Sequence, residues 1–346
     1  MINLIIAFLV MPLAPFWFYG DIASSMGADR TTGNDSCQED VCGLSQEENW
    51  DGYEAKSFEK YNIFPVNSVA ASGLIPTRKA DISDLKIWAT SSVAIDVDTG
   101  TIIHYDNGRK RTQIASLTKM MTAILVMENV QDLNEEVTLT QEDLNIVGTV
   151  VGCPTSVFCN GNRMYVGEKV RVEDLMKAML MNSANDAATA LASYVGGSPK
   201  KFVEMMNKKA ESLGLKDTHF CTPSGLEIDG KEDQCYSSAY DIARIAAYSL
   251  KYEKIWDIMK IPDGRFYSVD GKYMHELKNT DILINTLPNC IGGKTGFTPL
   301  AGKSLLLGAE DPVGKHRIIA VLLNDEQRWD DMKTLVDWTF QNYTWQ

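Results

Sequence analysis

Residues 115–127 read "ASLTKMMTAILVM", and how that stretch is understood decides the fold. From Met120 onward it is apolar on every side, the pattern of a helix buried in the middle of a domain rather than laid on its surface. Yet it opens with Ser116 and carries Lys119 three residues later. A lysine in an apolar core costs several kcal/mol unless it is paired or neutral. Either this helix start reaches the surface, or the lysine has a chemical task. Residues at i and i+3 share a helix face, so Lys119 can reach the Ser116 hydroxyl.

Upstream, Ile87–Gly108 reads as two strand-like runs around Asp98-Thr-Gly100, a hairpin signal. Downstream, Val172–Met181, Asp186–Tyr194, Phe202–Leu213 and Ala239–Lys251 show helical spacing, with Gly196-Gly197 stopping the second. After Cys290 the strand pattern returns in "GKSLLLGAE" and "HRIIAVLLN", and a helix over Trp329–Phe340 follows. Strands at both ends with helices between them predict an α+β fold: one antiparallel sheet drawn from both ends of the chain, with a helical insertion.

The 346 residues are enough for one large domain or two small ones. With 45 % hydrophobic and 23 % charged residues the composition is that of a globular chain. The net charge of −13, with no basic run, argues against nucleic acid, which is bound through Lys and Arg at phosphates. Met1–Tyr19 has no charged side chain and is close to bilayer-spanning length. Residues 1–25 are therefore expected to be a secretory signal or an uncleaved membrane anchor. Residues 26–84 are acidic, polar and aperiodic, an expected flexible linker, and the folded domain is expected over 85–346. Seven cysteines suit an exported protein. Spacing suggests Cys37–Cys42, Cys153–Cys159 and Cys221–Cys235 with Cys290 alone, although sequence does not fix connectivity. No C-x-x-C occurs and the four histidines are scattered, so no metal site is expected.

Ser116-x-x-Lys119 alone is weak, because the pattern recurs at Ser57/Lys60, Ser83/Lys86 and Ser198/Lys201. Those three lie in polar or helix-start surroundings and read as solvated surface. Two further elements add specificity: Ser183-Ala-Asn185, in a polar break between helical runs, and Lys294-Thr-Gly296, entering a strand. The ordered combination S-x-x-K, S-x-N and K-T-G is associated with penicillin-binding proteins and class A β-lactamases. No G-x-S-x-G elbow and no H-E-x-x-H motif is present.

With these motifs, and with "AIDVDTGTIIHYDN", "VGEKVRVEDLMKAMLMNSANDAATALA", "LGLKDTHFCTPSGL", "YSSAYDIARIA" and "GGKTGFTPLAGKSLLLGA", the chain from about Trp88 to Tyr343 resembles a low-molecular-mass penicillin-binding protein. The branch it resembles is that of the serine D-alanyl-D-alanine carboxypeptidases. The resemblance implies a β-lactamase/transpeptidase-like fold, a five-stranded antiparallel sheet flanked by helices with a mostly helical subdomain. It implies acyl transfer through a serine ester, with Ser116 as nucleophile and Lys119 as its base. Burial and the nearby cation Lys294 would keep that lysine neutral. Ser183 would relay a proton to the leaving amine, and Asn185 would hold Lys119 and the substrate amide. Lys294 and Thr295 would bind the substrate's terminal carboxylate. Backbone N–H groups of Ser116 and Phe297 would form the oxyanion hole. Gly292, Gly293 and Gly296 would let an extended peptide pair with the strand edge.

The implied substrate is a peptidoglycan stem peptide ending in D-Ala-D-Ala, with β-lactams as acylating inhibitors, no cofactor, and an extracytoplasmic location. Many members of that family carry a β-rich second domain and a C-terminal anchor. The sequence ends at Gln346, soon after the last predicted helix, which gives more weight to the N-terminal segment as an anchor. The residues leave open a D,D-endopeptidase, a transpeptidase, a β-lactamase and a non-catalytic β-lactam sensor. A β-lactamase needs a carboxylate to prime the deacylating water, and Glu227 and Glu232 are the nearest acids after Ser183-Ala-Asn185.

Overall fold

The structure is a computed structural model that describes residues 74–80, 82, 85–153, 159 and 161–346. The expected N-terminal signal or anchor, most of the expected linker and the expected Cys37–Cys42 pairing lie outside the described residues. The strands are β1 (Pro76–Arg78), β2 (Ser91–Asp96), β3 (Ile102–Asp106), β4 (Glu136–Thr138), β5 (Lys169–Arg171), β6 (Asp263–Tyr267), β7 (Met274–Lys278), β8 (Cys290–Thr298), β9 (Gly302–Glu310), β10 (Arg317–Leu323) and β11 (Tyr343–Trp345). The helices are α1 (Lys119–Asn129), α2 (Gln141–Leu144), α3 (Val172–Leu180), α4 (Asn185–Gly196), α5 (Pro199–Ser212), α6 (Ala239–Ser249), α7 (Glu253–Met259) and α8 (Arg328–Asn342).

The main sheet has five antiparallel strands in the order β3-β2-β10-β9-β8, so both ends of the domain contribute, as the sequence predicts. Successive side chains of a strand face opposite sides. In β10, Ile319, Val321 and Leu323 join the helical body, whereas Ile318, Ala320 and Leu322 pack with Met332, Leu335 and Val336 of α8. A sheet covered on both faces needs continuous apolar runs, which is why β9 and β10 read so clearly in sequence.

Helix α1 is the centre of the helical body, and every residue from Lys119 to Val126 is buried. Its neighbours α3, α4, α5 and α6 pack around it. The flanking helices end on conventional signals. Ser198 caps α5 by accepting the Lys201 N–H at 3.3 Å, with Pro199 next. That accounts for one of the unrelated S-x-x-K matches as a helix cap. Gly197 closes α4 in the left-handed conformation at φ 73°.

Strand β1 falls within the stretch expected as linker. It has no apolar alternation and is ordered by backbone pairing with β11. The aromatic C-terminal stretch packs against the sheet: the Tyr343 hydroxyl donates to Ile103 O at 2.9 Å and Trp345 Nε1 to Asp96 Oδ1 at 2.8 Å. Disulfides join Cys153 to Cys159 and Cys221 to Cys235, and Cys290 is a buried free thiol. Among the described residues no helix is long and apolar enough to cross a membrane.

Candidate active site

Ser116 does not sit in α1 itself. It lies on the four-residue 3₁₀ turn Ala115–Thr118 that leads into the helix, and Lys119 is the first α-helical residue. This corrects the expectation that Ser116 begins the helix. The tighter turn brings residues i and i+3 nearly into register, so the reach is preserved. Lys119 Nζ lies 2.8 Å from Ser116 Oγ.

Lys119 is fully buried, and its other partners are Asn185 Oδ1 at 2.8 Å and the Ser224 carbonyl at 2.7 Å. No carboxylate bonds it among the described residues. Burial first, and the neighbouring Lys294 second, hold its amine well below the usual lysine range, against the pull of Asp186. Both Asn185 Oδ1 and Ser224 O can only accept hydrogen bonds. A neutral amine has two hydrogens, which those acceptors take, so its lone pair is left facing the Ser116 hydroxyl. The question raised by a lysine in this helix is thereby resolved: its surroundings favour the neutral form and aim it at a serine.

The second pair mirrors the first. Lys294, on β8, is also buried and donates to Ser183 Oγ at 2.9 Å and to Thr295 O at 3.0 Å. Burial brings its pKa down to about 7; Arg328 pushes the same way and Asp281 opposes. Ser183 is held at φ 59° in the break before α4, and Ala115 at φ 46° just before Ser116. Left-handed backbone at non-glycine residues is uncommon and concentrates at functional sites. Asn185, the first residue of α4, donates its Nδ2 to Val147 O at 2.8 Å, which fixes the amide so that Oδ1 faces Lys119. Asp186 beside it accepts the Val151 and Ala187 N–H groups, and burial raises its pKa to about 6.

These groups converge on a cleft of about 460 Å³ lined by Ser116, Ser183, Asn185, Thr295, Gly296, Phe297 and Arg328, among others. The Phe297 side chain is largely exposed at its mouth. The edge strand β8 forms one wall, and Thr295 Oγ1 lies 2.6 Å from Thr280 Oγ1. Gly296 lets β8 approach the serine turn: a Cβ there would lie 2.9 Å from Ile114 O. All eight residues expected from sequence thus fall in one neighbourhood, with Lys119 and Lys294 behind its surface.

Three contributors were not singled out by sequence reasoning. The Ser224 carbonyl bonds Lys119, and Gly225, at φ 83°, sits hard against Ala115. Both lie in the quoted "CTPSGL", where the Pro-Ser-Gly turn was a usable signal. Arg328 donates to Gly296 O at 3.1 Å and Ser304 O at 3.3 Å, and its Nε has no hydrogen-bond partner among the described residues. No motif surrounds it. Of the two acids considered for a β-lactamase, Glu227 accepts from the hydroxyl of Thr298, itself a cleft-lining residue, and Glu232 accepts the Gly230 N–H at 2.9 Å.

A turn-borne serine, a buried lysine beside it and a second serine–lysine pair on a five-stranded sheet define the penicillin-binding, DD-transpeptidase type of fold. Residues 77–327 match the family model for D-alanyl-D-alanine carboxypeptidase, peptidase family S11, and the chain belongs to that family. It is 34 % identical over 267 residues to Bacillus subtilis D-alanyl-D-alanine carboxypeptidase DacF, covering 75 % of this chain and 64 % of that protein. A D-alanyl-D-alanine carboxypeptidase from Mycobacterium tuberculosis superimposes with a TM-score of 0.66 at 27 % identity, covering 77 % of this chain and 96 % of that one. A Streptomyces DD-transpeptidase superimposes with a TM-score of 0.67 at 25 % identity, covering 75 % of this chain and all of that one.

Proposed function

We propose that the protein is a serine D-alanyl-D-alanine carboxypeptidase that removes the terminal D-alanine of peptidoglycan stem peptides and is acylated by β-lactams. The observation that carries the reading is the Lys119 amine, fully buried and shared by Ser116, Asn185 and Ser224. In the reaction, Lys119 takes the Ser116 proton as Oγ attacks the carbonyl carbon of the penultimate D-alanine. The Ser116 and Phe297 N–H groups stabilise the resulting oxyanion. The C–N bond breaks as Ser183, supplied by Lys294, gives a proton to the leaving amine. Thr295, Lys294 and Arg328 hold the terminal carboxylate. Lys119 passes the proton it took to the depleted Ser183–Lys294 pair and is neutral again. It then takes a proton from the water that attacks the ester carbonyl and returns it to Ser116 Oγ as the acyl C–O bond breaks. The β8 edge pairs the substrate backbone as an added strand.

The match of residues 77–327 to the D-alanyl-D-alanine carboxypeptidase family model supports this reading over a β-lactamase. A peptidoglycan substrate supports an extracytoplasmic location, and the apolar segment Met1–Tyr19 is proposed as the export signal or anchor. The test compares wild type with Ser116→Ala on a diacyl-Lys-D-Ala-D-Ala peptide and on labelled penicillin. Release of D-alanine and covalent labelling by wild type alone support the proposal. Rapid penicillin turnover identifies a β-lactamase, and acylation without release of D-alanine identifies a sensor. A preference for cross-linked dimers identifies an endopeptidase, and transfer to an added amine a transpeptidase.

A further inference from the structure

The segment between α2 and β5 serves two places. Its Gly148 and Thr149 line the catalytic cleft, and its far end lines a second groove, of about 520 Å³. Tyr165 and Val166 stand on that side of the groove, and the turn between β6 and β7, with Tyr273, forms the other. The size suits a bound ligand, and the steps above do not use it.

Two tyrosines dominate the groove. The rings of Tyr165 and Tyr273 lie 4.8 Å apart, and the residues are 46 % and 38 % exposed, with Val166 57 % exposed. Exposed apolar surface rimmed by polar residues marks an interaction site. This surface is also held rigidly. The Tyr165 N–H donates to Glu168 Oε2 at 2.9 Å, and Glu168 Oε1 meets His275 Nε2 at 2.7 Å, with both side chains buried. His275 Nδ1 lies 2.8 Å from Asn162 O. Both partners of the ring are acceptors, so the imidazole donates from each nitrogen and its charge balances Glu168. A buried ion pair contributes little net stability. Here it fixes the backbone that presents Tyr165. The Tyr273 N–H donates to Ser268 Oγ at 3.0 Å, and the Val269 N–H to Lys169 O at 2.8 Å ties the two sides together.

The charges around the rings cancel. Lys169 pairs with Glu136 at 3.1 Å and Lys272 with Asp270 at 2.8 Å, and all four line the groove. The groove therefore offers ring faces and hydrogen-bonding groups of both kinds without net charge, in a chain whose net charge is −13. That combination suits neither a nucleic acid nor a strongly charged peptide. It suits a saccharide. The C–H groups on one face of a pyranose pack against the negative face of an aromatic ring, while hydroxyls and amides at its rim bond carboxylates and ammonium groups.

We infer that this groove binds the glycan strand of the substrate, a chain of N-acetylated amino sugars, with Tyr165 and Tyr273 as its stacking platform. The inference rests on the peptidoglycan reading: the stem peptide in the cleft and the glycan that bears it belong to one polymer, and one segment of this chain lines both sites.

The test has one arm that needs no turnover. Tetra-N-acetylchitotetraose, which carries no peptide, is titrated calorimetrically into the full chain. Wild type is expected to bind it, and Tyr165→Ala combined with Tyr273→Ala to weaken binding by about tenfold. Val166→Glu, at an exposed position, is the second variant should the first fail to fold. In the other arm, the variants match wild type on free diacyl-Lys-D-Ala-D-Ala. On stem peptides still attached to glycan strands, their KM rises by about tenfold with kcat unchanged. A wild type that ignores the tetrasaccharide, or variants that bind it equally well, overturn the inference. A dimer that the variants convert to monomer assigns the groove to a second copy of the chain and overturns it too. Binding of the tetrasaccharide by a wild type that releases D-alanine from neither substrate overturns the carboxypeptidase reading instead.

Discussion

Gly225→Ala puts the geometry of the serine turn to a quantitative test. Gly225 has φ 83°, and a Cβ there would lie 1.9 Å from Ala115 O and 2.7 Å from Thr118 Oγ1. Real Cβ atoms stay at least 3.0 Å from such neighbours, so one of the two segments must retreat by about 1 Å. Neither can do so freely. The serine turn is backed by Gly296 on its other side, while the Gly225 segment is tied by the Cys221–Cys235 disulfide and by Ser224 O on Lys119. The displacement therefore opens the Ser116–Lys119 or the Lys119–Ser224 hydrogen bond. A 1 Å misplacement of reacting groups costs about 10²-fold in rate. Left-handed backbone at alanine adds about 1–2 kcal/mol of destabilisation and overpacking about 1–3 kcal/mol more. Gly230→Ala is the control: φ is 74°, but nothing lies within 4 Å of its Cβ, so only the backbone cost applies. The assay is the rate of covalent labelling by a fluorescent penicillin, with urea unfolding for stability. A Gly225→Ala protein labelled within threefold of Gly230→Ala would refute the claim that this contact holds the serine in place.

Three further outcomes are expected. Acylation should rise with pH as Lys119 gives up its proton at a pKa well below the ordinary lysine value, then fall above about 7 as Lys294 loses its own. Lys119→Arg, whose guanidinium stays charged, should erase the rising limb and cut the rate by about 10²–10⁴-fold, read from stopped-flow labelling across pH. Ser183→Ala should lower D-alanine release by about 10²-fold or more while Ser116 still forms a penicillin adduct detectable by mass; loss of the adduct as well would assign Ser183 to nucleophile activation. Replacing Cys221 and Cys235 with serine frees a loop of 14-residue separation, expected to cost about 3 kcal/mol in urea unfolding and to slow acylation, because Ser224 and Gly225 lie within it. An unchanged midpoint would show that the loop is held by its other contacts.

What the sequence revealed and what it hid have different physical causes. The β2–β3 hairpin, β9 and β10 were legible because a sheet buried on both faces demands uninterrupted apolar strands bounded by turns. Strand β8 was visible only from Lys294 onward, although it begins at Cys290, because "CIGG" carries little strand propensity and is held by pairing with β9. The β6–β7 hairpin went unread for a related reason. Its residues "DGRFY" and "MHELK" are mostly charged or half-exposed, and the register Arg265↔Glu276 places opposite charges across the pair rather than a readable apolar stripe.

In the site, legibility follows how each residue acts. Ser116, Lys119, Ser183, Asn185 and Lys294 contribute side-chain atoms of restricted chemical type, so each leaves a mark in the sequence even where its partner is 66 to 111 residues away. Ser224 contributes a carbonyl that any residue possesses, and Gly225 contributes the lack of a side chain, so neither position announces what it does. Arg328 donates to two backbone carbonyls, Gly296 O and Ser304 O, 32 and 24 residues away, a separation no local pattern encodes. Lys119 was exposed by conflict: a charged residue at the head of a wholly buried helix contradicts burial unless the fold lowers its pKa. The same conflict marks Asp281, a buried carboxylate whose Oδ2 has no hydrogen-bond partner among the described residues, but there the contradiction becomes visible only once the chain has closed around it.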